Sequence, residues 1–336
     1  MKHKDTLTRT IKRLFAEPKG ILAIDESIST CNGRFEALGV ATTEENRRDF
    51  RHMLVTAPRI EEYVSGYILF DETIRQSSPD GKNFAHILKE KGIDVGIKVD
   101  TGTHPLPFSE GELITEGLDG LRDRLVEYRE TYGATFAKWR AELHMGADMP
   151  SDTAMLTNAH ALARYAALCQ EEGIVPIVEP EVMMTGDHAI EEFYDVLASN
   201  FDILFGELEA QGVWLSGIII KSPMVIDGKD APLQSTPEVI AEKTLDCFKQ
   251  FIPHEVGGIV FLSGGQSPDQ ALTNLNAIGV RTAKKKYPWP ITFSFGRAIQ
   301  QPALEAWAHN PKDHATAQDL LVATARANSA ATIGKA

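Results

Sequence analysis

Lys221 directly follows Ile218, Ile219 and Ile220, so the chain places an amine at the edge of its most apolar run. Desolvation there, together with a nearby cation such as Lys138, disfavours the ammonium form. A neutral amine attacks a ketone to give an iminium, an electron sink that stabilises the carbanion left when the adjacent bond breaks. The structural alternative is a lysine that snorkels from a strand end or pairs with a carboxylate. Other apolar runs end in the same unusual way. Glu179 with Glu181 in IVEPE, Lys138 with Arg140 in FAKWR, and Lys98 with Asp100 in GIKVD are each spaced two apart. On an extended strand, that spacing puts both members of a pair on one face. The two glutamates suit a general acid-base pair sharing one proton, or equally counter-charges for Lys138, Arg140 and Lys221. Asp25 in AIDES has the same choice between catalytic carboxylate and ion-pair partner.

A second group of residues suits anions. LSGGQS, from Leu262 to Ser267, runs straight into a helical pattern. Gly264 and Gly265 let backbone N-H groups beside Ser263 turn toward a phosphate, and the helix dipole favours negative charge there. A plain tight turn explains the segment as well when it is taken alone. SFGRA adds Gly296 and Arg297 after the last strand-like run, and phosphates in (β/α)8 barrels often bind at the loops after strands 7 and 8. Lys98, with Ser27 and Thr30, offers a second phosphate position, unless Lys98 only neutralises Asp100. Metal and cofactor chemistry find no support. Ten histidines show no HxH or HExxH spacing and three cysteines are scattered, so no ligand set is expected. GxGxxG and P-loop patterns are absent too, and His144, His188 and His254 read as surface or loop residues.

These side chains need elements to position them. Eight apolar runs begin at Ile21, Gly66, Asp94, Thr135, Pro176, Gly217, Gly258 and Ile291. They recur about every 40 residues with amphipathic helical segments between, which predicts one (β/α)8 barrel, an α/β fold with all strand C-termini facing one mouth. An open doubly wound sheet is the runner-up. Thr236-Pro237 marks a helix start capped by the threonine, with Ile240, Thr244, Cys247, Phe248 and Phe251 inward. Ser267-Pro268 marks another, expected to stop at Gly279. Thr42 with Glu45 suggests a capping box.

The composition, 43% hydrophobic and 24% charged over 336 residues, is that of an ordinary globular chain. No linker divides it, so residues 1–336 are expected to form a single domain, with an N-terminal helix in 1–18 and a short tail at 330–336. A net charge of -13 argues against nucleic acid or an anionic membrane as partner. Scattered cysteines and the lack of a long apolar segment or signal h-region point to the reducing cytoplasm.

Taken together, GILAIDES, TEENRR, GIKVDTG, FAKWR, GIVPIVEPE, KSPMV, FLSGGQS and SFGRA resemble the class I fructose-bisphosphate aldolases, in the same order from about Lys19 to Ser329. The resemblance implies reversible cleavage of fructose 1,6-bisphosphate to dihydroxyacetone phosphate and glyceraldehyde 3-phosphate, in glycolysis and gluconeogenesis, with no metal and a homo-oligomeric, tetrameric state. It implies Lys221 as Schiff-base lysine, Lys138 beside the carbinolamine, Glu179 as proton shuttle supported by Glu181, and Asp25 near the C4 hydroxyl. Ser263, Gly264, Gly265, Gly296 and Arg297 correspond to the C1-phosphate region. Ser27, Thr30 and Lys98 correspond to the C6-phosphate region, with Arg34 and Arg140 as further contacts. Gly33, Thr30 and Thr101 depart from the animal enzymes, which carry lysine, serine and lysine there. The sequence also ends at Ala336, short of the tail whose terminal tyrosine protonates the enamine in animal members, so another residue or water is expected in that role. Sedoheptulose 1,7-bisphosphate is a plausible second substrate. The alternatives are another Schiff-base sugar-phosphate lyase, or a non-catalytic barrel acting as a binding protein.

Overall fold

The structure is a computed structural model and describes residues 2–16 and 18–336. Helix α1 (Lys4–Leu14) leads into β1 (Gly20–Ile24), followed by α2 (Ile28–Glu36) and α3 (Glu44–Thr56). Next come β2 (Val64–Leu69) with α4 (Asp71–Arg75) and α5 (Phe84–Glu90), then β3 (Asp94–Lys98). A hairpin, β4 (Gly102–Pro105) and β5 (Leu113–Glu116), precedes α6 (Leu121–Tyr132). Four regular units follow: β6 (Phe136–Leu143) with α7 (Asp152–Glu171), β7 (Val175–Val182) with α8 (Ile190–Ala210), β8 (Ile219–Ser222) with α9 (Pro237–Phe251), and β9 (Gly258–Phe261) with α10 (Pro268–Lys284). The last unit is β10 (Ile291–Phe295) with α11 (Arg297–His309) and α12 (His314–Ala331).

The eight parallel strands close in the order β1-β10-β9-β8-β7-β6-β3-β2, with β4-β5 as a separate antiparallel pair. This is the expected (β/α)8 barrel, and its strands cover the eight apolar runs. Their alternation serves two cores. One set of side chains, including Leu22, Ile24, Ile220 and Ile259, packs outward against the helices. The other, including Ile21, Ala23, Phe136, Ile177, Ile219 and Val260, fills the interior. Helix α1 joins that inner cluster through Leu7, Ile11 and Leu14, an i, i+4, i+7 stripe that is almost wholly buried. Asp5 in its first turn and Lys12 and Arg13 in its last suit the helix dipole. Arg13 is also anchored to Asp94 at the start of β3, at 2.7 Å. With α1 packed into that end, polar groups are left to the opposite, C-terminal mouth.

Three local expectations are corrected. The helix after Ser267 does not stop at Gly279 but continues to Lys284. A Cβ at Gly279 would lie 2.1 Å from the Ala331 carbonyl oxygen, so this glycine admits the end of α12 rather than ending its own helix. The cap of α3 is Thr43, accepting from Asn46 N, one residue beyond Thr42. Thr236 stands at the start of α9 without a side-chain cap bond. The β4-β5 hairpin was not anticipated.

Candidate active site

Strands β6 and β7 are eight residues each, longer than their neighbours, and their outer ends carry the charges. Parallel register sets Lys98 beside Lys138, Arg140 beside Glu179, and Glu142 beside Glu181. Lys221 reaches the same mouth from β8, where it pairs with Val260. Asp25 stands just past the end of β1. Here Glu179 lies between two amines. Its Oε1 is 3.0 Å from Lys221 Nζ, and its Oε2 is 2.9 Å from Lys138 Nζ. Lys138 also donates to Asp25 Oδ2 at 2.9 Å. Asp25, Lys138, Glu179 and Lys221 are all less than one-tenth exposed.

Charges buried this deeply persist only when paired. Burial pushes the Asp25 carboxyl up, but Lys138 and Lys221 outweigh it and hold its pKa at about 2. Burial opposes the charge on Lys138, yet Asp25 and Glu179 hold its ammonium above the ordinary lysine range. Against the same effect of burial, Lys138, Lys221 and Arg140 hold Glu179 below the usual carboxylate range. The cation expected beside Lys221 is therefore present but separated from it by a carboxylate. Glu181 is engaged by Arg140, which also meets Glu142 at 2.8 Å. That is the counter-charge arrangement, not a proton shared with Glu179.

The mouth opens into a cavity of about 960 Å³. On one side it is walled by Ser263, Gly264, Ser294, Gly296 and Arg297. Gly264 and Gly265 take φ of +56° and +91°, a left-handed region that non-glycine residues rarely enter, and so turn the chain tightly ahead of α10. Arg297 is exposed and has no carboxylate within ion-pair distance among the described residues. The cavity is also lined by Ser27, Ser29 and Thr30, which follow β1 beside β10, and by Lys98 on β3. Ser27 Oγ caps α2 by accepting from Thr30 N at 3.2 Å, and meets the hydroxyls of Ser29 and Thr30 at 2.9 and 3.0 Å. Lys98 contacts Asp100.

Of the expected site residues, Arg34 and Gly265 are not brought to the cavity wall. Arg34 is held by Glu26 and by Gln300 Oε1 at 3.0 Å. Two further wall residues stand at strand ends, as expected, but had no assigned role. Glu26, also bound to Arg51 at 2.8 Å, sits inside AIDES. Ser294 opens SFGRA, and its buried hydroxyl has no hydrogen-bond partner among the described residues. Both stood within motifs already singled out, which was the available signal. The arrangement as a whole is a buried amine with a carboxylate beside it, in a cavity also lined by hydroxyls, turned glycine backbone and the cations Lys98 and Arg297.

Comparison with known proteins agrees. The family described as "Glycolytic: Fructose-bisphosphate aldolase class-I" matches residues 6–336. A protein of Xanthomonas campestris pv. campestris named "Probable fructose-bisphosphate aldolase class 1" is 50% identical over 332 residues, 98% of each chain. "Fructose-bisphosphate aldolase 4, cytosolic" of Arabidopsis thaliana is 46% identical over 94% of this chain and 80% of that one. The solved fructose-bisphosphate aldolase of Plasmodium falciparum superposes with a TM-score of 0.95 at 38% identity, covering 98% of this chain and 95% of the other.

Proposed function

The chain belongs to the class I fructose-bisphosphate aldolases, and from that premise we propose that Lys221 is the Schiff-base nucleophile and Glu179 its proton shuttle. The reaction is the reversible aldol cleavage of fructose 1,6-bisphosphate to dihydroxyacetone phosphate and glyceraldehyde 3-phosphate, without a metal ion. The observation that carries the assignment is the Glu179 carboxylate placed between the amines of Lys221 and Lys138.

Glu179, 3.0 Å away, takes one proton from Lys221 Nζ and frees it for attack; Nζ then adds to the C2 carbonyl, and the next proton it loses passes to the carbonyl oxygen to give the carbinolamine. The same carboxyl returns a proton to the carbinolamine hydroxyl, so that water leaves and the iminium forms. Lys138, kept charged by Asp25 and Glu179, stabilises the carbinolamine oxygen. Asp25 accepts the C4 hydroxyl proton as the C3-C4 bond breaks, and the bonding pair moves into the iminium to give the enamine. Glu181 supports Glu179 by fixing Arg140. Ser263, Ser294, Gly264, Gly265, Gly296 and Arg297 serve the C1 phosphate through turned backbone and a free guanidinium. Ser27, Thr30 and Lys98 serve the C6 phosphate, with Arg140 a further contact and Arg34 shaping the adjoining loop. We also assign residues 1–336 to one aldolase domain, sedoheptulose 1,7-bisphosphate as a second substrate, a homo-oligomeric, tetrameric assembly and a cytoplasmic location. The last draws on the cytosolic plant relative, and no helix is long and apolar enough to cross a membrane among the described residues.

Borohydride reduction in the presence of dihydroxyacetone phosphate is expected to leave one covalent adduct, mapped to the peptide carrying Lys221. A chelator is expected to leave cleavage activity intact. An adduct on another lysine, or none, would overturn the assignment of Lys221.

A further inference from the structure

Asp49 and His52 lie three residues apart on α3, on one helical face, and His314 opens α12 against them. One carboxylate oxygen of Asp49 and one ring nitrogen from each histidine lie within 4.8 Å of one another. None of the three lines the catalytic cavity. We propose that Asp49, His52 and His314 form a binding site for a divalent transition-metal ion of the zinc class, outside the barrel, joining α3 to α12. It stands apart from the aldolase reading and supplies nothing to that chemistry.

Two imidazoles and one carboxylate are a nitrogen-rich donor set that suits zinc and its neighbours, whereas calcium and magnesium ask for oxygen throughout. Zinc-ligand bonds of about 2.0 to 2.1 Å put tetrahedral donors roughly 3.4 Å apart. His314 Nε2 and Asp49 Oδ2 are already 3.2 Å apart, and one ring nitrogen of His52 lies within 4.8 Å of the donor atoms of the other two. The Asp49 carboxylate is aimed from behind by the indole N-H of Trp307, which donates to Oδ2 at 2.9 Å. Trp307 is fully buried between Phe35 and Phe50, and such outer partners fix a ligand's orientation. The two helices are themselves locked together, since Gln318 Nε2 donates to Met53 O and Thr56 Oγ1, each at 3.0 Å. His52 stacks on Phe84, and its Nδ1 is sealed from solvent without a hydrogen-bond partner among the described residues. Coordination at that nitrogen would satisfy it. Asp49 and His314 keep 36% and 27% of their side-chain surface exposed, which leaves an entry path and room for water as a fourth ligand. Spacing rules missed this set because Asp49 and His314 are 265 residues apart.

The test uses the full chain, freed of any tag and stripped with chelator, then titrated with Zn²⁺ alone by calorimetry. One saturable equivalent per chain is expected, with a thermal unfolding midpoint that rises with Zn²⁺ concentration. His52→Ala and Asp49→Asn are each expected to weaken binding at least about 10-fold, by analogy with the loss seen when even outer partners are removed. Their turnover with saturating fructose 1,6-bisphosphate should equal that of the parent chain. His52→Gln keeps side-chain bulk and serves if His52→Ala does not fold. An ordinary His314-Asp49 hydrogen bond would leave His52 uninvolved. Absence of saturable binding, or binding undiminished by every foldable His52 variant, overturns the site.

Discussion

Glu179 holds one negative charge against two ammonium groups, and Lys138 has a second carboxylate, Asp25, whereas the Lys221 amine meets Glu179 alone among carboxylates within 4 Å in the described residues. Replacing Glu179 therefore affects the two lysines unequally. In Glu179→Gln the shape is kept and Lys138 stays paired with Asp25, so the fold should persist. Lys221 loses the group that takes and returns its proton. We expect kcat to fall by roughly 10²- to 10³-fold, the scale of a lost general acid-base group, with a much smaller change in KM. The yield of borohydride-trapped adduct at Lys221 should fall with it. Steady-state kinetics and peptide mapping read both, and a kcat within about threefold of the parent would remove Glu179 from the shuttle role.

At the scale of elements, α10 and α12 meet at Gly279, whose missing side chain lets the Ala331 carbonyl approach. In a free helix, glycine to alanine stabilises by about 1 kcal/mol. Here the added carbon would sit 2.1 Å from backbone oxygen and crowd Gly334 N at 2.6 Å, and a backbone cannot swing aside as a side chain does. Gly279→Ala is thus expected to destabilise by roughly 1 to 3 kcal/mol, the cost of overpacking. Scanning calorimetry should show a lowered midpoint with cleavage unaffected at lower temperature, and a raised midpoint would refute the contact. The sequence presents Gly279 as a helix stop because its tertiary neighbour is invisible locally. The barrel strands were legible because each is buried on both faces and so reads as a continuous apolar run. The β4-β5 hairpin was not, because β4 is largely exposed, β5 is only partly buried, and neither four-residue strand carries such a run. Glu179 and Lys138 were legible from two-residue spacing on long strands. The pairing of Glu26 was not, since its partners Arg34 and Arg51 arrive from two different helices.

For the molecule as a whole, packing so many charges at one mouth makes stability depend on pH in a definite direction. Asp25, Glu26 and Glu179 are held below their ordinary values of 3.8, 4.5 and 4.5, burial opposing and neighbouring cations prevailing. Around pH 4 and below, the unfolded chain therefore binds protons that the fold refuses, so stability rises with pH through this window and is lost as pH falls through it. For Asp25 alone, the move from 3.8 to about 2 corresponds to on the order of 2 kcal/mol. His52 and His188, which burial holds below their ordinary 6.5, add a shallower decline that begins near that pH. Lys138 acts oppositely. Its raised value contributes stability that is complete below the ordinary 10.5 and is lost only at higher pH. The unfolding midpoint should accordingly be highest between about pH 7 and 10, decline gently below about 6.5, and fall steeply from about 4 toward 2. Asp25→Asn carries no proton-binding group at that position, so its acid limb should be shallower than the parent's while the histidine region stays the same. Identical acid limbs in the two proteins would show that the Asp25-Lys138 contact contributes nothing to acid stability.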